Sequence, residues 1–193
     1  MTFELALPHP VAPLAVAPRA FTILDEASTD APAREALLDA AFGPARFLKT
    51  CERLRDGRRP APGLALVAKD EEDALIGTIR LWPILAGARP ALLLGPVAVA
   101  QETRSLGLGA ALIRESLDRA QAIGHRAVLL VGDAPYYARF GFERRFTERL
   151  VMPGPVERAR FLGLELAPGA LEGVEGRVRA TATIEPAALP RAA

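Results

Sequence analysis

Arg104, Gly107 and Gly109 fall in the order Arg-Ser-Leu-Gly-Leu-Gly between an apolar run, ALLLGPVAVA, and a stretch patterned as a helix from about Gly107 to Ile123. Glycines at a helix mouth let backbone amides close on a phosphate, because no side chain holds the ligand off and the helix presents its positive end. The amides of Leu106, Gly107, Leu108, Gly109 and Ala110 are then expected to face a pyrophosphate, with Arg104 adding charge at the rim; a solvated loop arginine reads the same way. A P-loop is excluded, since it needs Lys and then Ser or Thr after the second glycine, where Ala110, Ala111 and Leu112 stand. A dinucleotide fingerprint is weakened by Leu112 and by the six residues, Gln101 to Leu106, that separate the strand from Gly107, although Asp133 after the next strand keeps a nucleotide-binding α/β domain open.

A second group of polar residues lies in GDAPYYARFGF. Asp133 and Pro135 open a short helix that Gly141 ends, and it carries Tyr136 and Tyr137. Adjacent helical side chains diverge by about 100°, so only one tyrosine can face a given site. Cys51, spaced helically with Phe47 and Leu54, reads as a small buried apolar residue. One cysteine and two distant histidines leave no disulfide framework and no metal-ligand spacing, so no metal is expected.

The elements that must position these residues follow from periodicity. FTILDEAS reads as a first strand; Asp30 caps a helix with Leu37, Leu38 and Ala41 on one side; RFLKTCERLRD reads as a second helix. LALVAKD and LIGTIRLWPI form a hairpin around an acidic turn, ALLLGPVAV is a further strand, and RAVLLVGD is a short buried one. Between the last two, Leu106, Ala110, Ile113, Leu117 and Ala120 give the helix one apolar face, so strand, helix and strand make a parallel crossover. FERR and TERLVMP are expected to be extended, and FLGLEL and RVRATATI to add strands. The sum is a mixed α/β (α+β) sheet of about six or seven strands. Pro96 cannot donate to a sheet ladder, which predicts a bulge or a parting of strands there. A ligand is expected where strand order changes, beyond the carboxyl end of ALLLGPVAV.

The 193 residues are 50% hydrophobic and 24% charged, a globular composition that suits one core. With 24 basic and 23 acidic residues and no basic stripe, no nucleic-acid partner is expected. No apolar run reaches the ~18 residues of a membrane span and no secretory signal opens the chain, so a reducing cytoplasm is the expected location. Residues 1–20, with four prolines, read as a loosely held arm; 21–150 as the main ligand-binding domain; 151–193 as a strand extension packed on that domain, with a tail.

The Arg-x-x-Gly-x-Gly turn and, about thirty residues later, Tyr137-Ala-Arg-Phe-Gly141-Phe142 resemble the GNAT superfamily of acyl-coenzyme A dependent N-acyltransferases. GPVAV, GDAPYYARFGF and LELAPGALEGVEGRVR resemble its bacterial YhbS-like branch, from about Phe21 to Ile184. The resemblance implies a mostly antiparallel, twisted sheet flanked by helices and splayed at its central strands. It implies acetyl-CoA as acyl donor, with Val97, Ala98 and Val99 pairing to the pantetheine arm, an amide near Val97 at the developing oxyanion, and Tyr137 rather than Tyr136 protonating the thiolate. Some members carry a glutamate on the strand before the turn. Here Leu94-Gly95-Pro96-Val97 stands there and no carboxylate follows until Glu102, so a water relay or a carboxylate from elsewhere is expected. The acceptor would be an amine of a small molecule or protein, selected by the Ala31–Arg59 segment, the Trp82 hairpin and the tail, and a homodimer is possible. A non-catalytic acyl-CoA binding module is the alternative.

Overall fold

Apolar runs bounded by turns become the strands of one sheet. The protein is described by a computed structural model over residues 20–104 and 106–184, so the proline-rich arm lies outside the described residues. Strands β1 (Thr22–Asp25), β2 (Ala65–Lys69), β3 (Leu75–Ala86) and β4 (Arg89–Val99) run antiparallel in sequence order. β4 then pairs parallel with β5 (Ala127–Val131), which pairs antiparallel with β7 (Phe161–Glu165). β8 (Gly176–Ala180) adds to the far half of β3 and pairs in parallel with the short β6 (Leu150–Val151). Among the described residues the sheet has eight strands, six along its main path and β6 and β8 off it, with β6 inside the TERLVMP segment expected to be extended.

The parallel β4–β5 pair requires a crossover, and α2 (Leu108–Ala122) supplies it. Leu108, Leu112, Ile113, Leu117 and Ala120 pack with Leu66, Ala68, Ile79 and Leu81 on one sheet face. Each buried leucine contributes about 2 kcal/mol of burial free energy. The helix approaches β3 closely at Gly77, where a Cβ would stand 2.9 Å from Leu112 Cδ1. Leu106 does not join this face: it precedes the helix and is 45% exposed.

On the other face, Trp82, Ile84, Leu93, Leu129 and Phe161 form a second cluster with Leu54 and Leu150. α1 (Ala31–Phe42) contacts β3 and β4, and it buries Arg34 and Leu38 rather than Leu37 and Ala41. Asp30 stands at its N-cap position without a side-chain cap; its carboxylate instead accepts from the Ala27 amide at 2.9 Å and meets Lys69 at 3.1 Å. The expected helix at RFLKTCERLRD is two 3-10 turns, Pro44–Leu48 and Thr50–Leu54, separated by Lys49 at an extended ψ of 142°. FERR is extended only in its first half, where Glu143 bridges Gly163; Arg144–Thr147 forms a 3-10 turn held by the Thr147 hydroxyl, which donates to Phe161 O at 2.6 Å.

Candidate active site

β4 is paired on one side and open on the other. It meets β5 only at Leu92↔Val128 and Leu93↔Leu129, after which Leu94–Val99 leaves β5 and stays with β3. The parting coincides with a bulge: Leu81 faces Leu94 and Ile79 faces Val97, so Gly95 and Pro96 together oppose Arg80. The Trp82 indole donates to Gly95 O at 2.7 Å and fixes this corner. The Ala100 amide donates to Ile76 O at 2.8 Å, which makes Ala100↔Ile76 a hydrogen-bonded pair. By the alternation of antiparallel ladders Ala98↔Thr78 is another, so the backbone groups of Val97 and Val99 point away from β3 and into the gap.

The turn after β4 ends in backbone donors. A 3-10 turn, Gln101–Thr103, precedes it, and Leu106 N–H already donates to Thr103 O at 3.3 Å, which removes that amide from the expected cradle. Gly107 takes φ +80° as N-cap, and Ala111 N–H is the first to bond back, to Gly107 O. Leu108, Gly109 and Ala110 are thus the first helical residues, with amides that no helical carbonyl can reach. Only Gly107 needs its glycine for a positive φ; Gly109 is helical, and a Cβ there would stand 3.4 Å from the Tyr136 hydroxyl. Arg104 is exposed at the rim.

The tyrosines divide between two places. α3 (Ala134–Ala138) is capped by Asp133, whose carboxylate accepts from Tyr136 N–H at 3.2 Å, and it ends before Gly141 at φ +85°. Tyr136 lies against the glycine turn, whereas Tyr137 lines a cavity of about 660 Å³. The Tyr137 ring packs edge-on to Phe142 with centroids 5.8 Å apart, and it lies so close over Gly132 that a Cβ there would overlap Cε2 and stand 2.7 Å from Cδ2. Burial, assisted by Tyr136, pushes the Tyr137 phenol up to about 12.

The cavity runs through the gap between the strands. Leu130 and Tyr137 in its lining pack with the cluster under α2, while Trp82 and Cys51 pack with the cluster on the opposite face. Its far wall comes from α1, the two 3-10 turns and Arg58. This wall is held by ion pairs. The Glu26 carboxylate, 5% exposed, takes both Arg34 and Arg80, the latter through Nε at 2.7 Å. Glu35 bridges Arg34, at 2.8 Å, and Arg46, which also pairs with Asp39 at 2.7 Å. Burial opposes ionisation of Glu35, but the hydrogen bonds from Arg46 and Arg34 hold its carboxyl below the ordinary value. Burial pushes the Cys51 thiol up, in keeping with an apolar packing role. Glu102 is exposed and does not line the cavity.

Of the residues that the sequence singled out, Val97 and Tyr137 line this cavity; Leu106–Ala110 and Arg104 lie outside it, at the turn. Sequence reasoning missed Gly132, Glu26 and the arginines of the wall. The Val-Gly-Asp ahead of the tyrosines carried the first signal; the others had none that distinguished them from surface charge. Among the described residues no group of three or more His, Cys, Asp or Glu forms a metal site, and no helix is long and apolar enough to cross a membrane.

Comparison with known proteins agrees with this geometry. Residues 25–142 match the profile of the acetyltransferase (GNAT) family. The chain is 34% identical over 155 residues to the uncharacterized N-acetyltransferase YhbS of Escherichia coli K12, across 79% of this chain and 92% of that one. It is similar to the crystal structure of E. coli YhbS in complex with CoA, with a TM-score of 0.72 and 32% identity, covering 89% of this chain and 93% of that one. It is also similar to a GNAT acetyltransferase of Brucella melitensis in complex with acetyl-CoA, with a TM-score of 0.60 and 28% identity over 83% and 96% of the two chains. The family profile covers more than half of the chain and the relatives are matched over most of their length, so the chain belongs to the GNAT acetyltransferase family.

Proposed function

We propose that the protein transfers an acetyl group from acetyl-CoA to a primary amine, and that Tyr137 assists the departing sulfur. One observation carries this reading: the open backbone edge at Val97 and the Tyr137 ring line one cavity at the parting of the strands. The thioester supplies an activated acetyl carbonyl. The free amides of Gly107 to Ala110 suit a pyrophosphate, with Arg104 at the rim, and backbone groups of Val97 and Val99 suit the amides of the pantetheine arm. The pair Ala98↔Thr78 turns inward, so Ala98 contributes by holding the strand in place. An amide at Val97 is in position to stabilise charge developing on the carbonyl oxygen.

In the transfer, the amine lone pair forms the C–N bond, the C–S bond breaks, and the amine proton leaves as the sulfur gains one. A phenol held near 12 is protonated throughout the physiological range, so the donor is always loaded. Complete transfer from it to a thiolate of pKa about 8.5 is uphill, so Tyr137 acts mainly by hydrogen bonding to the sulfur while the amine proton makes up the balance. Of the four cavity carboxylates, Glu35 and Glu52 are held by arginines, Asp56 is not without a partner, and Asp133 accepts from the Tyr136 amide, which favours removal of the amine proton by water.

Saturating acetyl-CoA should raise the melting temperature and release thiol in the presence of an amine panel. Stabilisation with no thiol release across the panel would favour the non-catalytic binding module instead.

A further inference from the structure

The cavity has more cations than carboxylates without an ionic partner. Lys49, Arg58 and Arg160 line it, and among the described residues none of the three has a carboxylate partner. Lys49 lies over the Phe42 ring at 4.6 Å, Arg58 donates through one Nη to Ala182 O at 2.9 Å, and Arg160 has only a long 3.4 Å contact to Gly132 O. Arg58 therefore keeps most of its five N–H donors unused, in a half-buried position. Of the acidic groups of the same cavity, Glu35 pairs with two arginines and Glu52 with Arg55, Asp56 is not without a partner, and Asp133 caps α3 through one oxygen.

These cations do not serve the pyrophosphate cradle. No described residue of the Gln101–Ala110 turn lines this cavity, and the three cations come from the segment between α1 and β2 and from the residue before β7. Unused donors in a concave site favour an acceptor oxygen that carries charge, whereas a polycationic amine would meet three cations against the one carboxylate of Asp133. A volume of about 660 Å³ suits a small molecule.

We propose that the acceptor is a small primary amine that also carries a carboxylate or phosphate, held by Arg58 with Lys49 and Arg160. The proposal rests on the acetyltransferase reading for what happens to the amine, but not for the binding of the anion.

Trp82 is the single tryptophan and lines the cavity, so its fluorescence reports occupancy. The full-length protein, saturated with coenzyme A, would be titrated with 2-aminoethyl phosphate against 2-aminoethanol, 4-aminobutanoate against its amide, and spermidine. The anionic member of each pair should bind about tenfold more tightly. Arg58→Gln should remove most of that ratio, and Lys49→Gln, at an exposed position that leaves folding intact, should lower it by a fewfold. Equal binding within pairs, preference for spermidine, or no binding of any probe would overturn the proposal. Thiol release with acetyl-CoA and the same probes separates the two readings. Acetylation irrespective of charge leaves the acetyltransferase and removes the anion site; selective anion binding without thiol release does the reverse.

Discussion

The two ends of the candidate site, the turn outside the cavity and the cavity's far wall, are made of different material. The turn and the parted strand present backbone: amides at Gly107 to Ala110 and the outward groups of Val97 and Val99. The opposite wall presents side chains, arginines locked by Glu26, Glu35 and Asp39. A backbone site tolerates most substitutions, because every residue supplies the same amide, and it fails only where a Cβ or a change of φ intrudes. A side-chain wall is the reverse: each position is specific, and the wall is retuned by exchanging one residue. One end can thus keep its ligand while the other changes partner.

The largest effect expected is on the wall. Glu26→Gln leaves Arg34 and Arg80 without their shared charge in a buried place, which should cost about 3–5 kcal/mol by denaturant unfolding, with acetyl-CoA affinity of the folded fraction unchanged. A loss below about 1 kcal/mol would mean that the pair does not hold the wall. Next, Tyr137→Phe should lower kcat about a hundredfold with the dissociation constant of acetyl-CoA nearly constant; retained turnover would take the tyrosine out of the chemistry. At the backbone end, Gly107→Ala forces a Cβ into the left-handed region at about 1–2 kcal/mol, and acetyl-CoA affinity should fall about tenfold. Val97→Ala, which keeps the amide, should scarcely change that affinity, and a large loss there would blur the contrast between the two ends.

The smallest effect is one of pH. The folded-state phenol of Tyr137 lies near 12 against an ordinary value of 10.0, so the folded protein holds a proton that the unfolded chain releases. Stability tied to this group is full below pH 10 and is lost as pH rises toward 12. Tyr137→Phe should show a shallower alkaline decline in melting temperature.

Much of the backbone end was legible in the sequence. Gly107 announces a positive φ, Pro96 announces the break in the ladder, and the apolar spacing of α2 fixes the crossover that brings β4 beside β5. The wall was not, for a physical reason. Arg34 on α1 reads as a solvent-facing charge, and what buries it is Glu26 at the end of β1 and Arg80 on β3, which is 54 residues further along than Glu26. No local pattern encodes a pairing at that range. The segment from Pro44 to Leu54 misled for a related reason: Phe47, Cys51 and Leu54 keep helical spacing, but Lys49 turns extended, and Thr50 is tied through its hydroxyl to Pro155 O, far along the chain.

The parting of β4 from β5 places an edge strand in the middle of a sheet. At an outer edge, proteins shield unpaired backbone with charge, proline or a bulge, because it templates pairing with another chain. Here Pro96 and its bulge stand at the point of separation, but Val97 and Val99 beyond it offer an apolar strand whose outward hydrogen-bonding groups have no partner in β5. On the proposed reading, a ligand with amides along its length would fill the role of the missing strand. Supply of cofactor would then govern not only turnover but also how long the protein resists self-association.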